Sequence, residues 1–151
     1  MKLVATMGGK TTYEVGREII ETLTETKTIL ADDDCGKLFL LSAAAGFTAT
    51  LPAIADAGAG WSCKFLVLTA PTSNGYTITE KTTADTNKLL TNCIIEHEVD
   101  TGTDGLYNSG HTTINLAANL AVQGDEIKVL CDGTNWYCTG HTNVDGGAVL
   151  A

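Results

Sequence analysis

Apolar and polar residues alternate along most of this chain with the two-residue period of half-buried strands, and turn residues break the alternation at roughly ten-residue intervals. Phe47, Ala49 and Leu51 alternate with Thr48 and Thr50, and Pro52 ends that run because proline has no N–H to give a ladder. Residues 37–42 read as a strand, and 61–69 as the strongest buried strand of the chain. Ser73-Asn74-Gly75 supplies a tight turn into a strand over 76–80, since Asn-Gly tolerates the positive φ that hairpin turns require. Ile94 and Ile95 anchor a strand over 89–98, and another follows over 112–117. The last hairpin joins 126–131 to 136–140 around Asp132-Gly133-Thr134-Asn135. Within it Ile127, Val129, Cys131, Trp136 and Cys138 share one face, and Lys128 and Tyr137 the other. Residues 100–111 read as a long Gly/Asp loop, 53–60 as a small-residue loop or one helical turn, and 145–151 as a Gly-rich tail ending in a strand.

Two readings compete over the first 25 residues. Thr11 followed by Glu14 resembles a capping box, and Val15, Ile19 and Leu23 share a helical face. Gly16 interrupts that face, and residues 20–26 are rich in strand formers. The sequence predicts a flexible arm over 1–9, a short helical turn, and a strand near 21–29. Short strands without long helices between them exclude a βαβ architecture, and the lack of an evident repeat argues against a solenoid or propeller. The expected fold is all-β: one antiparallel β-sandwich or jelly-roll-like domain over 21–151, with an extended N-terminal arm over 1–20.

Composition agrees with this. A chain of 151 residues is long enough for a real core, and 44% apolar against 18% charged residues marks it as globular. The formal net charge of −9, with nine scattered Lys and Arg, argues against nucleic acid as a partner, because phosphate binding needs clustered basic residues. No run approaches the ~20 apolar residues of a membrane span, and residues 1–10 lack the apolar core of a secretory signal. The sequence therefore predicts folding in a cytoplasm, with no membrane partner. Five cysteines (Cys35, Cys63, Cys93, Cys131 and Cys138), an odd count with no Cys-x-x-Cys, read as free thiols that pack as small hydrophobes.

Candidate chemistry fails on spacing or on partners. His97, His111 and His141 are isolated, and no serine or cysteine sits in a nucleophile motif. Glu96 and Glu98 share one face of their strand and read as a solvated pair rather than a glycosidase dyad, which also needs an aromatic cleft. Asp32-Asp33-Asp34 reads as a turn capped by its own side chains. The stretch from Asp100 through Asp104 to Gly105 matches a calcium loop at its first, fifth and sixth positions, but Gly102 and His111 stand where further ligands belong. Gly8-Gly9-Lys10-Thr11 lacks the upstream glycine of a phosphate loop. The expectation is a non-enzymatic protein with no catalytic residue, no cofactor and no assigned metal ligand.

The hairpin Gly124-Asp125-Glu126-Ile127-Lys128-Val129-Leu130-Cys131-Asp132-Gly133-Thr134-Asn135-Trp136-Tyr137-Cys138 resembles a signature recurring in phage structural proteins. Upstream, Gly36-Lys37-Leu38-Phe39-Leu40-Leu41 through Gly46-Phe47-Thr48-Ala49-Thr50-Leu51-Pro52, then Lys64–Val67 and Ala70–Tyr76, look like its companion stretch. Together they span roughly residues 24–147, and the layout is similar to the small head decoration (cement) proteins of marine and cyanobacterial tailed phages. The resemblance implies a homotrimer bound to the major capsid protein on the virion surface, made in the host cytoplasm. Tyr13, Val15, Ile19 and Ile20 of the arm, which add a strand to a neighbour's sheet edge in this reading, and Tyr137 of the hairpin are the expected interaction residues. The Trp-Tyr hairpin also occurs in tail fibres and spikes, so a tail-fibre or receptor-binding tip is the alternative; Tyr107 and Tyr137 would be its aromatic contacts. A lectin-like or depolymerase fragment is disfavoured by the missing carboxylate cleft.

Overall fold

A computed structural model describes residues 2–7, 10–14, 18–81, 85–97 and 103–151, with 2–7, 10–14, 92, 93, 97 and 103–109 described by backbone alone. The strands are β1 (Lys2–Met7), β2 (Lys10–Glu14), β3 (Ile20–Leu23), β4 (Lys27–Thr28), β5 (Leu38–Ser42), β6 (Thr48–Thr50), β7 (Ser62–Thr69), β8 (Tyr76–Thr79), β9 (Leu89–His97), β10 (Thr103–His111), β11 (Thr113–Leu116), β12 (Glu126–Cys131), β13 (Trp136–Thr142) and β14 (Ala148–Leu150). One helical turn, α1 (Ile54–Ala57), falls in the small-residue stretch. A seven-stranded sheet, ordered β10-β9-β13-β12-β7-β5-β3, faces a five-stranded sheet, ordered β14-β11-β8-β6-β4. The fold is an all-β sandwich.

Alternation explains which face each strand buries. Phe39 and Leu41 of β5, Cys63, Phe65 and Val67 of β7, Ile127, Val129 and Cys131 of β12, and Trp136 and Cys138 of β13 meet Ala49, Ile78, Ile114 and Leu116 from the smaller sheet. Phe39 stacks on Phe65, while Trp61 meets Trp136 and Phe47 meets Tyr76 edge-on. The Tyr76 hydroxyl, at the end of this core, takes the Ala43 N–H at 2.7 Å and lies within hydrogen-bond distance of the Ala43 and Thr69 carbonyls.

Both sheets are mixed, where alternation led us to expect antiparallel pairing. β3, β5 and β7 run parallel to one another, as do β4, β6 and β8. Parallel neighbours need a long crossover, and here the crossover is a strand of the opposite sheet. The chain therefore winds three rungs, β3–β4, β5–β6 and β7–β8, stacked without any sequence repeat. β12 then closes on β7, and β11 on β8, antiparallel. A further parallel pair joins β13 to β9.

Several segments differ from expectation: residues 2–7, read as part of a flexible arm, form β1, and the one strand expected near 21–29 is two, β3 and β4, in different sheets. Residues 10–14 form a strand, so the helical turn predicted from Thr11 and Glu14 is absent; β2 pairs antiparallel with β1 in a separate two-stranded sheet. Strand formers at 10–14 (Thr11, Thr12, Tyr13) outweigh the capping pattern. The loop predicted over 100–111 is largely β10, paired with β9 from Thr103 to His111 with register shifts at Tyr107 and Gly110.

Candidate functional site

In a sandwich the face turned away from the core is ordinarily polar. The outer face of the larger sheet departs from this. Ile20 pairs with Leu38, Leu40 pairs with Leu66, and Leu68 continues the β7 file, so an apolar group crosses β3, β5 and β7, with Thr22, Ser42 and Ser62 around it. Ile20 is 59% exposed and Leu68 37%, while Leu38, Leu40 and Leu66 are half-buried. A second apolar row runs from Leu130 through Tyr137 to Leu90. Lys64 and Lys128 stand between the two groups, with Lys64 held by Glu18 at 3.1 Å. The sequence carried a signal for this: Leu38-Phe39-Leu40-Leu41 and Phe65-Leu66-Val67-Leu68 are continuous apolar runs, apolar on both faces.

The interaction residues named from sequence are only partly brought together. Ile19 and Ile20 are exposed at the β3 edge of this face, 51% and 59%. Tyr137 lies on the same face but on an interior strand. The neighbouring Asp132 carboxylate holds its phenol above the ordinary pKa. Asp132 itself is pulled below the usual range by the Asn135 and Thr134 N–H groups it caps. Tyr13 sits on β2 opposite Leu3 by backbone pairing. Val15 lies outside the described residues, as do Glu98 and Asp100; of Asp104 and Tyr107 only the β10 backbone is described.

The histidines lie on three different strands, His97 on β9, His111 on β10 and His141 on β13. Among the described residues no group of three or more His, Cys, Asp and Glu is placed to hold a metal ion. No helix among them is long and apolar enough to cross a membrane.

Sequence reasoning placed Glu96 on a solvated face, and this is corrected: Glu96 is buried and accepts the Ala148 N–H across the sandwich at 3.2 Å. A register shift within the β9–β13 pairing, between Thr91 and Cys93, brings Glu96 onto the inward face with Leu89 and Ile94. Four more buried carboxylates act as backbone caps. Asp34 accepts the Leu30 N–H at 2.8 Å, Asp85 the Ile54 N–H that opens α1 at 2.9 Å, and Glu80 the Asn87 and Lys88 N–H groups. Asp125 takes Val122 N–H at 2.8 Å and both Asn143 donors at 2.9 and 2.7 Å. Burial raises the Glu80 pKa, against the Lys88 and Asn87 N–H groups that hold its charged form.

No protein-family model, curated protein or solved structure matches this chain.

At the β3 edge a network of charges joins the two sheets. Lys27 of β4 bonds Glu21 of β3 and reaches Asp34 at 3.5 Å; Lys37 bonds Glu21 at 2.7 Å and Asp34 at 2.6 Å. The Lys27 ammonium also sits 5.2 Å from the centre of the Phe39 ring. Hydrogen bonds from Lys27 and Lys37 hold the Glu21 carboxyl below its usual range. Burial pushes Asp34 the other way, but the Leu30 N–H and the two lysines leave it lowered as well.

Proposed function

We propose that this chain is a structural, non-enzymatic virion protein that decorates a tailed-phage capsid, a homotrimer docked on the major capsid protein. The observation that carries the reading is the outer face of the larger sheet, where Ile20, Leu38, Leu40, Leu66 and Leu68 stand in place of the polar residues of a solvated face. Apolar side chains gathered on an outward face mark interaction surfaces, and here Ile20 and Leu68 are exposed with the half-buried Leu38, Leu40 and Leu66 between them. The phage-like hairpin at 124–138 and its upstream companion supply the virion context. The net charge of −9 disfavours the packaged genome as the contact and suits a basic patch on the shell.

Incubating the purified protein with capsids that lack it, followed by sedimentation and cryo-EM, tests this. The expected result is saturable binding on the shell surface at symmetry axes. Ile20→Ser with Leu68→Ser, at the two exposed members of the face, should weaken binding sharply while leaving the far-UV spectrum and melting curve close to the parent's. Density confined to the tail would sink the capsid reading and favour the alternative, a tail-fibre or receptor-binding tip; the Trp136-Tyr137 hairpin, with Tyr137 on the outer face, is what supports that second reading.

A further inference from the structure

Following the inward-facing rows across both sheets brings out a change of chemistry at one end of the sandwich. In the larger sheet one row reads Ile127, Phe65, Phe39 and then Glu21. In the smaller sheet the matching row reads Leu150, Ile114, Ile78, Ala49 and then Lys27. Each row is apolar across the width of the fold and turns ionic on the first rung alone, and the two ionic residues pair with each other. At the other end of the smaller sheet, β14 keeps apolar residues inward, Ala148 and Leu150.

That first rung is also where both sheets end. Among the described residues, the outer backbone edges of β3 and β4 have no strand beyond them in their sheets. Edge strands of this kind are templates for another chain, and inward-pointing charge and short strands are the devices that block such pairing. β4 has two residues and β3 four. A second copy pairing there would have to bury Glu21 and Lys27 between two apolar cores, losing the remaining solvation of side chains now 33% and 23% exposed.

We infer that the Glu21–Lys27 pair, tied down by Lys37 and Asp34, is an edge cap that prevents a second copy of this chain from adding to the open end of the stack through β3 and β4. This does not depend on the capsid reading, because it concerns only whether copies join at this edge.

The test is the paired variant Glu21→Leu/Lys27→Leu, which leaves the Lys37–Asp34 bridge in place. Removing both members of a partly buried ion pair for apolar residues is often neutral for folding. Sedimentation velocity should show at least a doubling of weight-average mass over the parent as concentration rises, with slowed amide exchange along β3. The Glu21→Asp/Lys27→Arg variant, which keeps both charges beside Lys37 and Asp34, should sediment like the parent. A folded Leu/Leu variant with the parent's mass throughout the series would overturn the inference, as would equal association of the charge-preserving one. Should Leu/Leu not fold, Glu21→Gln/Lys27→Met carries the same expectation and the same refutation.

Discussion

Replacing Asp125 with alanine removes an acceptor that has no solvent contact and three donors. Its two oxygens join the 122–126 bend to Asn143, just beyond β13, so the side chain fastens the entrance of the last hairpin to its exit. Hydrogen bonds to a charged group are worth about 1.5–3 kcal/mol each, and a buried donor left unpaired costs about 1–3 kcal/mol. The three share one carboxylate and cannot simply be added, so about 4 kcal/mol is the expected loss. Asparagine should recover only part of this, because its amide NH2 would face a backbone N–H where an oxygen now accepts. With a urea m-value of about 2 kcal/mol/M, Asp125→Ala should lower the unfolding midpoint by about 2 M. Urea titration followed by the fluorescence of the buried Trp61 and Trp136 reads this directly. Exposed Asp145→Ala is the control and should stay within about 0.5 kcal/mol of the parent. A shift below about 0.5 M for Asp125→Ala, or full recovery by asparagine, would show that the clamp contributes little.

Three further outcomes are expected. Gly140→Ala should destabilise by about 3 kcal/mol or more, measured by the same titration, since a Cβ there would lie 2.1 Å from the Glu126 carbonyl oxygen. Cys63, Cys131 and Cys138 should resist alkylation of the native protein while exposed Cys35 reacts, as read by peptide mass spectrometry; burial pushes the Cys63 thiol well up and Cys138 to about 12. Cys63 and Cys138 flank Val129 from opposite sides, about two strand spacings or 9.5 Å apart, too far for a disulfide, so oxidation should not join them. Finally, Glu21 and Asp34 titrate below their ordinary values of 4.5 and 3.8, so the unfolded chain binds their protons more tightly. Their contribution is complete above those values and lost as pH falls through the lower folded ones. Melting temperature should therefore drop on acidification below pH 4.5, and Glu21→Gln should flatten that slope.

The strands were legible because alternation reports burial directly: the faces assigned to Lys128, Tyr137, Trp136 and Cys138 are the faces observed. Strand direction was not, since alternation says which side faces the core and nothing about the neighbour. Ile20 meets Leu38 in parallel only because the chain visits the other sheet in between. The buried carboxylates were hidden for a different reason. Asp34, Glu80, Asp85, Glu96 and Asp125 look like solvated charges in sequence, and what draws them inward is a backbone N–H whose position only the fold fixes. Of the expected contact residues, Ile19 and Ile20 are exposed at the start of β3, where the chain enters the larger sheet at its edge. The outward leucines were overlooked because an unbroken run such as Leu38–Leu41 reads as a doubly buried strand.

The winding of the rungs bears on how the chain acquires its structure. Every step from β3 to β9 carries the backbone from one layer to the other, so neither layer is a continuous stretch of sequence. No half of the sandwich can be completed while the other is absent. Pairings such as Cys138 with Thr91 or Lys64 with Lys128 join residues far apart in the chain. Such a topology has high contact order, which slows folding toward the millisecond-to-second range. It also couples the two layers, so loss of one removes the connections of the other and unfolding proceeds as a single event. A single nick in an exposed turn would leave both layers laced together by the remaining crossings.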